Sequence, residues 1–172
     1  MSTENKITTH FQKGLIIGLA LVAIGFVFQI MNIYDPWVQW VTTLLYAGSI
    51  IWSCFSFSKE MNAEVSFGQV FSHGFKTASI VILISIAAFA LTYVIMPEIK
   101  TKALEIARKE MEKDPRMTEK NIQEAIKWTD QFFFLFGIVG SLFGLGISGA
   151  ISSLIGAAVV KKNATPTMPK SL

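Results

Sequence analysis

Four long apolar stretches without a charged residue or a histidine constrain the fold of this chain more than any other feature. They are residues 14–33, 37–57, 77–96 and 132–160. Each is long enough to cross the hydrocarbon core of a bilayer, which takes about 20 residues of α-helix. A soluble core helix of that length would normally carry a polar face. The sequence therefore predicts an all-α polytopic membrane protein, a single domain over 1–172 with four transmembrane helices.

The fourth stretch carries a small residue at every fourth position, a spacing typical of helices that pack closely in membranes. The positions are Gly140, Gly144, Ser148, Ser152 and Gly156. In the first stretch, Gly14 and Gly18 form a GxxxG pair, and Gly25 lies on the same side of the helix. We expect the two faces to pack against each other, so that all these residues are helix-packing positions. On this interpretation Gly144→Leu is predicted to destabilise the bundle strongly.

The segment 97–131 holds more than half of the charged side chains of the chain. Pro97 suits the first turn of a helix, Asp114-Pro115 interrupts that helix, and Thr118 is a good N-cap for a second one. The pattern predicts a charged helical hairpin outside the membrane, between the third and fourth spans. Its surface is the predicted contact with a second copy of the chain or with a membrane protein partner; the lipid bilayer is the other predicted partner.

The third span is predicted to begin before its apolar run. Ser66 and Gln69 fit a capping box, and Val65 with Val70 fits the hydrophobic staple that accompanies it. An interfacial first turn or two then leads into the span, which is predicted to end before Pro97.

Cysteine and histidine usage predicts no metal and no cofactor. Cys54 is the only cysteine, which excludes an internal disulfide and a CxxC redox pair. His10 and His73 are the only histidines, and neither has a histidine or cysteine partner nearby in the sequence. We interpret them as side chains near a membrane boundary rather than as metal ligands or proton carriers.

The glycines from Gly144 to Gly149 match the GxGxxG pattern of dinucleotide-binding proteins. That fingerprint needs a preceding strand, a helix that begins at the glycines and an acidic residue about 20 positions later. Here the glycines lie inside an apolar stretch, and no acidic residue follows Asp130. Helix packing is the better explanation of this pattern.

The charges of the hairpin predict a solvated surface rather than a catalytic or binding site. Nearly every carboxylate there has a lysine or arginine three or four positions away, which is typical of a salt-bridged helix face. These carboxylates are Glu105, Glu110, Glu112, Glu119 and Glu124. The net charge of +3 is not gathered with aromatic residues on one face, so nothing favours nucleic-acid binding.

Four spans place both termini on the same side of the membrane. That side carries Lys6, Lys13, Lys59, Lys76, Lys161, Lys162 and Lys170. The hairpin on the other side also carries basic residues, so the two sides have nearly equal numbers of basic residues and the positive-inside rule does not decide between them. The first span has Lys13 before it and only Asp35 after it, which favours cytoplasmic termini. The predicted location is the cytoplasmic (inner) membrane.

A combination of segments resembles a known family. It comprises Phe67-Gly68-Gln69-Val70-Phe71 followed by Gly74-Phe75, the charged insert with Glu119 and Gln123, the fourth span rich in glycine and serine, and the Lys161-Lys162 stop. With these features nearly the whole chain resembles the bacterial four-span membrane proteins grouped as domain of unknown function 4199. The resemblance implies a four-span architecture in the cell envelope. It implies no activity and no catalytic residue, because the family has no established activity.

The predicted function is that of a non-enzymatic integral membrane protein, a scaffold or accessory subunit. The stretches lack the ionisable residues that ion-coupled transporters normally keep inside the membrane. The alternative is a small transporter or channel with a path lined by Ser141, Ser148, Ser152, Thr42 and Ser49. A membrane enzyme acting on lipid is a third class, which no constellation of residues favours.

Overall fold

A computed structural model describes residues 8–162, and the regular secondary structure of that part of the chain is entirely helical. The helices are α1 (His10–Ile30), α2 (Pro36–Glu60), α3 (Phe67–Ile95), α4 (Glu98–Glu112), α5 (Glu119–Gln131) and α6 (Phe133–Val159). Four of them, α1, α2, α3 and α6, are long and apolar enough to cross a membrane. The predicted all-α class and the four candidate spans are confirmed.

Side-chain caps determine where several helices begin. The capping box predicted at the start of α3 is present: the Ser66 N–H donates to Gln69 Oε1 at 2.8 Å, and the Gln69 N–H donates to Ser66 Oγ at 3.3 Å. At the start of α5, the predicted cap Thr118 accepts the N–H of Asn121 at 3.3 Å. Both predicted caps are confirmed.

The first helix begins earlier than the apolar pattern alone indicated. Thr9 and Gln12 form a reciprocal capping box, each accepting the backbone N–H of the other at 3.2 Å. This box starts α1 at His10 rather than at Gly14. Lys13 therefore lies inside the first turn of α1, from which its side chain reaches Glu60.

The chain divides into two compact units, each described here by itself. One consists of the residues up to Ile84 together with those from Gly144 onward, and the other of Ser85–Phe143. The core of the first unit has two clusters of buried side chains. These are Ile17, Tyr46, Ile50, Ala78 and Val81 in one, and Cys54, Val65, Val70, Ala157 and Val160 in the other. The single domain predicted from the sequence stays a prediction.

In the second unit, α4 and α5 lie against each other, and Ile99 and Ile122 are buried. Lys100 Nζ is 2.7 Å from Asp130 Oδ1, and an Arg108 guanidinium nitrogen is 2.5 Å from Glu119 Oε1. Because residues early in α4 pair with residues late in α5, the two helices run antiparallel. The location of this pair of helices outside the membrane stays a prediction.

The connection between α4 and α5 is solvent-exposed and charged. Hydrogen bonds from the Arg116 side chain and backbone hold the pKa of Asp114 below its usual value. The hydrogen bond to Glu112 and the charge of Glu119 raise the pKa of Arg108. These side chains are partly exposed, and ion pairs of this kind add little to stability because water screens them.

Candidate functional site

Two of the predicted packing glycines lie where α1 approaches α3 closely. A Cβ added to Gly14 would lie 2.7 Å from Ile80 Cβ, and one added to Gly18 would lie 2.7 Å from Ile84 Cδ1. At Gly14 only glycine allows this approach, since real Cβ atoms do not come that near to another Cβ. At Gly18 the nearest atom is the end of the Ile84 side chain, which can move aside. The sequence had paired this face with the fourth span; the structure instead places it against α3.

In the part of α6 from Gly144 onward, the close contacts are made by two glycines seven residues apart. A Cβ at Gly156 would lie 2.8 Å from Cys54 Cβ, and a Cβ at Gly149 would lie 2.5 Å from the Tyr46 hydroxyl oxygen. Gly149 was outside the predicted ladder. Ser152 is buried on the same side, and its hydroxyl donates to the carbonyl of Ser148 at 2.8 Å.

Three other positions of the predicted set make no such contact. Within residues 8–162, no neighbouring atom lies within 4 Å of a Cβ added to Gly25, Gly140 or Gly144. The geometry of a helix explains this for α6. Each step of four residues turns the direction by about 40°, so Gly140 and Gly156 point about 160° apart. One neighbouring helix cannot contact the whole ladder.

A buried ion pair joins the start of α1 to the end of α2. Lys13 Nζ lies 3.0 Å from Glu60 Oε1; the Lys13 side chain is 3% exposed and that of Glu60 18%. The carboxylate also accepts the hydroxyl of Ser56 at 2.8 Å and the backbone N–H of Thr8 at 2.9 Å. Charges are costly to bury, so an ion pair held this way indicates a specific role, structural or functional.

The two histidines, which the sequence left apart, come together beside this pair. The rings of His10 and His73 meet edge to face with centroids 6.2 Å apart. His73 is 6% exposed and its ring stacks on Phe57 at 4.2 Å. In the described part of the chain, its Nε2 atom has no hydrogen-bond partner.

Deeper in the first unit, the buried polar groups bond to each other or to backbone. The hydroxyls of Ser53 and Thr77 are 3.2 Å apart, and Thr77 also donates to the carbonyl of His73 at 2.9 Å. The Tyr46 hydroxyl donates to the carbonyl of Leu145 at 3.0 Å. The helices are therefore closely packed here, and these buried hydroxyl groups are hydrogen-bonded.

An open cleft of about 480 Å³ lies at the start of α3. Its walls include both histidines, Phe57, Ser72 and Lys76, together with the first turn of α3. A second cleft of about 320 Å³ is lined by Lys59 and Lys161, among others. Lysines therefore surround this end of the first unit, which we call the basic end: Lys13, Lys59, Lys76, Lys161 and Lys162.

The chemistry that the basic end offers is the binding of an anion. Lysines, imidazole N–H groups and a helix N-terminus all favour negative charge. No group of three or more histidine, cysteine or acidic side chains among the described residues is placed to hold a metal ion. The sequence placed these lysines on one side of the membrane, but it did not predict the clefts between them, because the lysines come from three helices and from the segment after α6.

Four helices of this length and apolarity are consistent with a polytopic helical membrane protein. The chain belongs to the family described as protein of unknown function (DUF4199), whose model matches residues 12–162. The resemblance seen in the sequence is thus confirmed over most of the chain. No curated protein and no solved structure matches it.

Proposed function

We propose that this protein is a non-enzymatic integral membrane protein that serves as a scaffold or accessory subunit. The observation that carries the proposal is the filled interior of the first unit. Tyr46, Ile50, Val70 and Val81 are at most 2% exposed there, and the buried Ser53 and Thr77 hydroxyls are bonded to each other. Such an interior supports a protein that holds its shape in the membrane and acts through its surfaces.

The alternative, a transporter or channel, needs hydroxyls that are available to a solute. Thr42, Ser49 and Ser152 donate to carbonyls four residues earlier in their own helices, at 2.9, 2.7 and 2.8 Å. Each of these hydroxyl protons therefore has an acceptor without a solute. This bonding favours packing over transport as the role of the small hydroxyl residues.

The proposed contact surface is the exposed side of α4 and α5. A photo-crosslinking residue at Lys109 or Glu124, both exposed, is expected to give one discrete adduct in membranes. The same residue at Phe143, exposed on α6, is the control and is expected to give no protein adduct, because we assign that position to lipid. The mass of the adduct distinguishes a second copy of this chain from another membrane protein.

Equal adducts at Phe143 and at the two test positions, or none at any of them, would contradict the scaffold proposal. Solute flux through liposomes that contain the purified protein, above that of empty liposomes, would favour the transport alternative instead.

We further propose that the basic end faces the cytoplasm and that α4 and α5 lie on the opposite side of the cytoplasmic membrane. A single cysteine at Lys113, which is 68% exposed, in a Cys54→Ala background tests this. A membrane-impermeant maleimide is expected to label it in intact cells. The parent protein, whose Cys54 is fully buried, is the matched control and should stay unlabelled. Labelling of Lys113→Cys only after lysis would invert the orientation.

A further inference from the structure

The cleft at the start of α3 contains a buried polar atom that lacks a partner. His73 lines the cleft, is 6% exposed, and its Nε2 has no hydrogen-bond partner among the residues described. A buried polar atom left in this condition is unfavourable, and such atoms are rare in folded proteins. The arrangement indicates that a group beyond the described residues completes the bonding at this place.

The first turn of α3 brings a backbone donor to the same cleft. A helix leaves its first four N–H groups without an acceptor of its own. The capping box satisfies those of Ser66 and Gln69, which leaves the N–H groups of Phe67 and Gly68, and of these two residues Gly68 lines the cleft. No atom of the described residues lies within 4 Å of a Cβ added to Gly68, so within this part of the chain the backbone of Gly68 is open to approach.

The charges around the cleft select an anion as the ligand. Lys76 and His10 line it, and the start of α3 adds the positive end of a helix dipole. The neighbouring charges on α1 and α2 are Lys13 and Glu60. They pair with each other and therefore do not change the net positive charge around the cleft. A cation is disfavoured by the same groups.

We propose that this cleft binds the phosphate group of an anionic phospholipid. The cleft belongs to the basic end, and the exposed aromatic residues Phe11, Phe67 and Phe75 adjoin its lining residues in the sequence. Exposed phenylalanines beside a basic surface suit the boundary between the lipid headgroups and the acyl chains. The assignment of the phosphate to a lipid, rather than to free phosphate, rests on the proposed membrane location of the four helices.

Thermal unfolding and native mass spectrometry in lipid nanodiscs test the proposal. Phosphatidylcholine discs establish the baseline, and discs that also contain phosphatidylglycerol supply the anionic headgroup. The parent is expected to retain phosphatidylglycerol and to melt at a higher temperature in the mixed discs. Lys76→Gln is expected to lower that retention at least about fivefold, the effect of one lysine at an anionic surface. His73→Phe, which keeps the stacked ring, is expected to lower it as well.

Lys59→Gln is the matched control, because it removes the same charge from the same basic end but from the other cleft. Equal losses in Lys76→Gln and Lys59→Gln would overturn the site in favour of diffuse attraction. Stabilisation by inorganic phosphate alone, with no preference for phosphatidylglycerol, would overturn the lipid as the source of the anion. Failure to enter phosphatidylcholine discs at all would contradict the membrane location itself. Entry into the discs without any preference for phosphatidylglycerol would overturn this inference alone.

Discussion

Replacing Glu60 by glutamine is expected to destabilise the folded protein by about 3 kcal/mol. Removing one partner of a buried ion pair costs about 3–5 kcal/mol, because the other charge is left buried without compensation. Glutamine has the shape of glutamate but only one acceptor oxygen. Because Ser56 donates to Oε1 and Thr8 to Oε2, the variant keeps one of these hydrogen bonds and loses the other together with the charge. We expect the lower end of the range, since the Glu60 side chain is 18% exposed and water reaches it. The free energy of unfolding in mixed detergent micelles measures the effect.

The double variant Lys13→Met/Glu60→Gln is the decisive control. It removes both charges, so most of the lost stability should return, as is found when a buried pair is replaced as a unit. Glu110→Gln provides the exposed comparison: Glu110 pairs with Lys113, and both side chains are more than half exposed. That variant is expected to cost less than about 1 kcal/mol. If Glu60→Gln and Glu110→Gln melt alike, the pair at the basic end is solvated and has no special role.

The features that the sequence predicted correctly are local ones. An apolar stretch without charges predicts a long helix wherever it occurs, and the four candidate spans follow from that alone. The caps at Ser66 and Thr118 follow from residues three positions apart. The antiparallel arrangement of α4 and α5 is nearly a local feature too, because two helices joined by a short charged connection have few other ways to pack against each other.

The sequence placed the lysines of the basic end on one side of the membrane, but the contacts there could not be predicted in this way, because they depend on which helices are neighbours. Lys13 was assigned to a flanking segment, since nothing in the local sequence pairs it with Glu60 on another helix. The same holds for His10 and His73, whose rings meet only because α1 lies against α3. One signal was available: the Thr9–Gln12 capping box extends α1 to include Lys13, and a lysine inside a candidate span calls for a buried partner.

The contacts of the packing glycines could not be predicted from the sequence either, because they also depend on which helices are neighbours. Gly156→Leu is expected to destabilise the protein by about 3 kcal/mol or more, because the first carbon of the new side chain would lie 2.8 Å from Cys54 Cβ. Gly144→Leu, the same change on the same helix, is expected to be neutral or to add up to about 1 kcal/mol. Gly144 is exposed with no neighbour in the described chain within 4 Å, and leucine favours helix over glycine. The ladder in the sequence had predicted a large loss at Gly144.

Unfolding of the two variants under identical detergent conditions measures the difference directly. Two smaller substitutions test whether the contact with Cys54 causes the loss of stability. Gly156→Ala should be destabilising alone. Adding Cys54→Gly should restore part of that stability, because it removes the atoms that the new methyl group would meet. Such coupling is expected only between residues in contact. If Gly144→Leu unfolds as easily as Gly156→Leu, the exposed side of α6 packs against a protein surface. That outcome would favour a second copy or a partner at Gly144, a contact that only the assembled protein would contain.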